Sequence, residues 1–273
     1  MFGTLLKTLR AQTPLIHCIT NYVTANDCAN LLLACGARPI MADDPGEVEE
    51  ITALAAGLVL NIGTLHQQTL PAMEAAGRRA KALGHPVVLD PVGAGASALR
   101  ISAALRLLEQ VRPTLIRGNA SELKTLARGS GSTQGVDAAA ADRVTPENLD
   151  QMAAFVKALA ARTGAVVAMT GAIDLVSDAE KTWCIYNGRP EMGRVTGTGC
   201  QLSALAGAFL AASPDTPLEA AAAAVCAMGL CGEIAYSRLG PLDGNAACRT
   251  YIIDAMDRLA PDTLEQGARY EMR

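Results

Sequence analysis

Short apolar runs alternate with longer helix-length segments over the first two thirds of the chain. Five runs predict buried strands, at residues 38–42, 58–62, 87–90, 114–117 and 166–170. Each ends in a turn signal: DDPG, GTL, DPVGAG, GNAS and TGA. Strands with no polar face suit a parallel sheet that helices cover on both sides. Helical patterns over 67–83, 97–111 and 146–162 supply those covers. Two further β-like runs, 174–177 and 182–186, flank DAEK and predict an antiparallel hairpin at one edge of the sheet. Beyond Gly199 the pattern becomes almost wholly helical and rich in Ala, which lets helices approach closely.

This alternation is that of an α/β layered fold. No linker-like stretch or fixed-period repeat divides residues 1–273, so one domain is expected. The polar segment 129–144 (GSGSTQGVDAAAADRV) is the exception, long enough to serve as a flap over a site.

Composition narrows the classes. The 273 residues are 50% hydrophobic and 18% charged, enough for a core without disulfides or metal. A net charge of -4 with no Lys or Arg run excludes non-specific nucleic-acid binding. The uncharged apolar stretch 220–232, bounded by Glu219 and Glu233, falls short of the roughly 18 residues a membrane span needs. Lys7 and Arg10 interrupt the N-terminus, so no signal peptide is expected. Eight cysteines without CxxC, beside three histidines, predict a cytoplasmic protein with seven of the thiols as buried hydrophobes.

The chemistry is expected where strands end, because open parallel sheets gather ligands at their carboxyl edge. VTGTGC (195–200) places glycines directly before an apolar helix, so free N–H groups of its first turn would converge on an anion. An ordinary loop with Thr198 as N-cap would read the same way. The turn DPVGAGAS (90–97) contains a G-x-G-x-x-A pattern, but Pro91 and the missing downstream acid weaken a dinucleotide reading. Asp90 suits magnesium or its water shell, or a helix cap. Arg117 in RGNASE could grip a phosphate in a fork, Glu122 could hold a metal-bound water, and Thr170 offers a strand-end hydroxyl. An anion hole, an Arg, two carboxylates and a hydroxyl, with no nucleophile–His pair, fit phosphoryl transfer. No P-loop or protein-kinase motif is present.

Seven motifs in order then carry a resemblance: PLIHCITNYVTANDCAN (14–30), GARPIMA (36–42), LVLNIGTL (58–65), VVLDPVGAGAS (87–97), LIRGNASE (115–122), AMTG (168–171) and VTGTGCQLSALAGAF (195–209). The chain resembles the hydroxyethylthiazole kinases of the ribokinase-like superfamily. The resemblance implies a three-layer α/β/α fold and magnesium-dependent transfer of the ATP γ-phosphate to the primary hydroxyl of 4-methyl-5-(2-hydroxyethyl)thiazole. It also implies a homotrimer with active sites between subunits. By the same matching, Met41, Gly197, Asn21 and Val23 are thiazole-contacting positions, with Asn21 and Val23 contributed together with the neighbouring subunit. Arg117, Asn119 and Thr170 match nucleotide-binding positions, and Asp90 and Glu122 the acidic positions around magnesium.

Gly197, Thr198, Gly199 and Cys200 are the expected catalytic turn. Many ribokinase-like enzymes carry Asp as the base at position 200; the Cys here is expected to orient the substrate hydroxyl instead. Tyr22 departs from the pattern, standing where an amide often follows the first Asn, and bears on substrate selectivity. His17, next to this stretch, is as well explained by a buried hydrogen-bonded ring. Cys200 and ITNYV argue against another ribokinase-like vitamin kinase or an ATP-dependent NAD(P)H-hydrate dehydratase. The retained Asp90, Arg117, Glu122 and Thr170 argue against a catalytically silent thiazole binder.

Overall fold

The computed structural model describes residues 1–129 and 144–273; of the flap expected at 129–144, residues 130–143 lie outside the described residues. A single nine-stranded sheet runs through it in the order β2-β1-β3-β4-β5-β6-β7-β8-β9. Its strands are β1 (Leu15–Ile19), β2 (Arg38–Met41), β3 (Gly57–Asn61), β4 (Val87–Asp90), β5 (Leu115–Asn119), β6 (Val166–Thr170), β7 (Asp174–Ser177), β8 (Thr182–Ile185) and β9 (Tyr270–Met272). Neighbours are parallel through β6, and the last three strands are antiparallel.

The five expected strands are all present, shifted at their ends by at most two residues. The expected hairpin is β7–β8, but it is not the edge of the sheet. β9 adds beyond it, and Trp183 of β8 packs against Tyr270 of β9 and Phe2, with ring centroids 4.8 and 5.3 Å away.

Helices cover both faces. One layer holds α1 (Phe2–Gln12), α2 (Ala25–Cys35), α8 (Thr198–Ala212), α9 (Pro217–Arg238) and α10 (Asn245–Arg258). The other holds α3 (Val48–Leu54), α4 (Thr69–Leu83), α5 (Ala98–Val111), α6 (Ala120–Arg128) and α7 (Leu149–Thr163). A short α11 (Pro261–Gly267) leads into β9. With both faces covered, β3 and β4 are buried at every position, which is why neither shows a polar alternation. By length and composition α9 could cross a membrane, yet 83% of its apolar window is buried here; it is a core helix.

One packing detail sets the site. At Gly207 of α8 an added Cβ would meet Val59 Cγ2 of β3 at 2.7 Å, so only glycine lets α8 lie this close to the sheet. That close approach delivers the first turn of α8 to the carboxyl ends of the strands.

Candidate active site

Register brings the strand-end groups together: Asn61 of β3 lies beside Asp90 of β4, and Asn119 of β5 beside Thr170 of β6. The first turn of α8 closes over them. Its N-cap is Gly197, at φ +91, where a Cβ would also collide with Thr24 Cγ2 at 2.5 Å. The cap is therefore not Thr198, whose hydroxyl donates back to the Met192 and Val195 carbonyls at 3.3 and 3.4 Å. No side chain caps the α8 N-terminus, so its dipole and N–H groups face the strand ends. The Arg117 guanidinium lies against that turn; a Cβ on Gly199 would sit 2.5 Å from its Nη1.

Arg117 Nη2 donates to Thr170 Oγ1 at 2.7 Å, and Nη1 lies 3.7 Å from Asp90 Oδ1. That contact is an ion pair too long to be a hydrogen bond. Asp90 is fully buried. Its Oδ2 accepts from Ser203 Oγ at 2.7 Å and from Asn61 Nδ2 at 2.8 Å, while Oδ1 has no hydrogen-bond partner. Asp90 thus caps no helix, and its Oδ1, facing the Arg117 charge, makes no hydrogen bond. Burial pushes its carboxyl above the usual range, and the Arg117 charge opposes that rise.

Glu122 also has a structural role. Its Oε1 accepts from Gly93 N and its Oε2 from Asn119 N, both at 2.8 Å, and Asn119 Oδ1 accepts from Glu122 N at 2.9 Å. This is a capping box that ties α6 to the β4 turn. Asn119 likewise contributes its side chain to the cap. Burial and the nearby Asp90 charge push the Glu122 carboxyl up to about 7.

Cys200 sits in the centre. Its Sγ accepts from Asn21 Nδ2 at 3.2 Å and from Asn61 Nδ2 at 3.3 Å. Burial, then the Asp90 charge, raise its thiol above the ordinary value of 9.0. The other seven cysteines are buried, as composition predicts, and all eight are free. His17 is indeed a satisfied core ring: Nε2 donates to the Ala42 carbonyl at 2.8 Å and Nδ1 accepts from Thr52 Oγ1 at 2.9 Å. Burial lowers its pKa.

The remaining predicted contacts separate. Met41, at the end of β2, lines a cavity of about 170 Å³ with Cys18, Thr20, Tyr22 and Ala25. Val23 instead lines a different cavity of about 210 Å³, with Thr196, Arg194 and Arg249. Sequence reasoning passed over Asn61 and Ser203. The signal for Asn61 was a polar residue ending an otherwise apolar strand just before GTL.

Three comparisons with known proteins bear on this geometry. A model of the hydroxyethylthiazole kinase family matches residues 6–262. The chain belongs to the hydroxyethylthiazole kinase family. It is 56% identical over 266 residues to the hydroxyethylthiazole kinase of Clostridium acetobutylicum, covering 97% of each chain. The solved hydroxyethylthiazole kinase of Pyrococcus horikoshii superposes with a TM-score of 0.89 at 34% identity, covering 100% of this chain and 98% of that one. A ribokinase-like superfamily protein of Enterococcus faecalis, at 12% identity, covers 94% of each chain with a TM-score of 0.64. That likeness identifies the fold as ribokinase-like.

Proposed function

We propose that the chain transfers the γ-phosphate of ATP to the primary hydroxyl of 4-methyl-5-(2-hydroxyethyl)thiazole, in thiamin salvage. The observation that carries this reading is the uncapped first turn of α8 against the Arg117 guanidinium, beside the Asp90 oxygen that makes no hydrogen bond. Phosphoryl transfer asks chiefly for positioning and charge neutralisation, and these groups provide both. The N–H groups of α8 receive the charge spread over the transferring phosphoryl oxygens. Arg117, tethered by Thr170, holds the nucleotide phosphates.

Magnesium fits the residues present. Asp90 would hold it, with Glu122 acting through water, and the ion would neutralise the nucleotide phosphates. No group of three or more His, Cys, Asp or Glu residues that could cage a metal occurs among the described residues. Mg²⁺ commonly takes one or two carboxylates and fills its shell with water and phosphate oxygens. The buried Asp90 Oδ1 is a carboxylate oxygen of the required kind.

Cys200 orients the alcohol. With its thiol raised by burial it keeps its proton at neutral pH. A loose transition state needs little prior deprotonation of the hydroxyl, so an orienting group suffices.

The resemblance also implies a homotrimer with sites between subunits, and the separation of two predicted contacts supports that reading. Met41 and Val23 line separate cavities of one chain, and Tyr22 and Val23 are 80% and 58% exposed. A site shared between neighbouring copies would let both predicted contacts reach one thiazole. Eight free cysteines suit a reducing, cytoplasmic setting.

The test is the product. With ATP and Mg²⁺, mass spectrometry should show one phosphate added to hydroxyethylthiazole, and none added to the 5-ethyl analogue that lacks the hydroxyl. Phosphorylation of neither compound, at saturating ATP, would contradict the reading.

A further inference from the structure

Asn61 ends β3, is 2% exposed, and has every hydrogen-bonding position of its amide in use. Nδ2 gives one hydrogen to Asp90 Oδ2 at 2.8 Å and lies 3.3 Å from Cys200 Sγ. Oδ1 accepts from Asn21 Nδ2 at 3.0 Å and from Gly63 N at 2.9 Å. The amide has one permitted orientation. Turned over, it would set its oxygen against the Asp90 carboxylate and its N–H against the Gly63 N–H.

Asn21 is fixed at one remove. Its Oδ1 accepts from Thr24 N and Thr24 Oγ1 at 3.2 and 3.1 Å, so its Nδ2 hydrogens are left for Asn61 and Cys200. The Cys200 sulfur therefore receives two amide N–H groups, and its own hydrogen must point away from both.

We propose that Asn61 is a positioning residue, which sets the direction of the Cys200 S–H and the plane of the Asp90 carboxylate together. One side chain thus keeps the alcohol-orienting group in register with the phosphate-side carboxylate. The proposal rests on the reading of Cys200 as the group that orients the substrate hydroxyl.

Two variants test it: Asn61→Ala, and Asn61→Asp, which keeps the shape but replaces the donor with an acceptor. Both should lower kcat by about 10- to 100-fold, the range usual for groups that orient a reactive one. KM for thiazole and for ATP should stay within about twofold of wild type. In a Cys200→Ala background the same substitutions should cost several-fold less, because part of what Asn61 positions is gone. Equal losses in both backgrounds, or a rise in KM alone, would overturn the proposal.

A second measurement needs neither substrate. Cys200 is the one cysteine that is not buried, so iodoacetamide labelling read by peptide mass spectrometry follows its thiol. Loss of an N–H on the sulfur should move the pH midpoint of labelling up by about one unit in Asn61→Ala. Asn61→Asp should move it further, with Cys200 still the only site labelled. An unchanged midpoint in both variants overturns the proposal. So does unfolding of both with all eight cysteines labelled, which would make Asn61 purely structural. If wild type turns over no thiazole, the functional reading fails by itself, and the labelling shift still decides what Asn61 does.

Discussion

Gly199→Ala should leave α8 folded and yet weaken the use of ATP. An added Cβ would lie 2.5, 2.6 and 2.8 Å from Nη1, Nη2 and Cζ of Arg117. Comfortable contacts between such atoms begin near about 3.5 Å, so the guanidinium must retreat by about 1 Å. The 2.7 Å bond from Arg117 Nη2 to Thr170 Oγ1 would then exceed hydrogen-bond range. Hydrogen bonds to charged groups contribute about 1.5–3 kcal/mol, which corresponds to a rise of roughly 10- to 150-fold in KM for ATP. The helix itself gains, because Ala favours helix over Gly by up to about 1 kcal/mol. The assay is KM for ATP at saturating hydroxyethylthiazole, beside the melting temperature of the same sample. A KM within twofold of wild type would refute the placement of Arg117 against the reactive turn. A large fall in Tm would refute the claim that the strain is local to the guanidinium.

Two other outcomes follow from the same geometry. Cys200→Asp should retain or raise kcat, since a carboxylate there would accept the Asn21 and Asn61 N–H groups that now meet sulfur. Loss of several decades in turnover with thiazole binding intact would refute the orienting role. Glu122 takes up its proton near pH 7 in the folded chain, against 4.5 for an ordinary Glu. The folded state therefore binds more protons than the unfolded state between those values, and stability falls as pH rises through that window. The loss is on the order of 3 kcal/mol. Tm measured from pH 5 to 8 should decline less steeply in Glu122→Gln than in wild type, and identical slopes would contradict it.

The strands of the sheet's centre were legible because burial on both faces leaves uninterrupted apolar runs, as at Val87–Asp90 and Val166–Thr170. β1 (Leu15–Ile19) was not, because His17 and Cys18 interrupt that pattern with a polar ring and a thiol. Only the tertiary partners of His17, Thr52 and Ala42, make it a core residue. β9 (Tyr270–Met272) is exposed at all three positions and owes its existence to pairing with β8, which no local pattern encodes.

The site shows the same division. Asp90, Thr170 and the 197–200 turn stand at strand or helix ends and declare themselves by residue type, as does Arg117 although it lies mid-strand in β5. Gly199 reads from sequence as part of an anion-binding helix start; that Arg117 also needs its space shows only in the fold. Glu122 reads as a candidate for a metal-bound water in RGNASE, and nothing there shows that its carboxylate also closes a capping box with Asn119 and reaches Gly93, 29 positions away. Asn61 was hidden for a related reason. Its partners at positions 21, 90 and 200 meet only through strand register and the descent of α8 onto β3.

The central claim is that this strand-end site uses ATP to phosphorylate a thiazole alcohol. The most direct test is ADP release from ATP and Mg²⁺, with and without hydroxyethylthiazole, for wild type and Arg117→Ala. Wild type should release ADP only when the thiazole is present, and Arg117→Ala should abolish that release. Thiazole binding without ADP release from wild type, or full thiazole-dependent release from Arg117→Ala, would contradict the account.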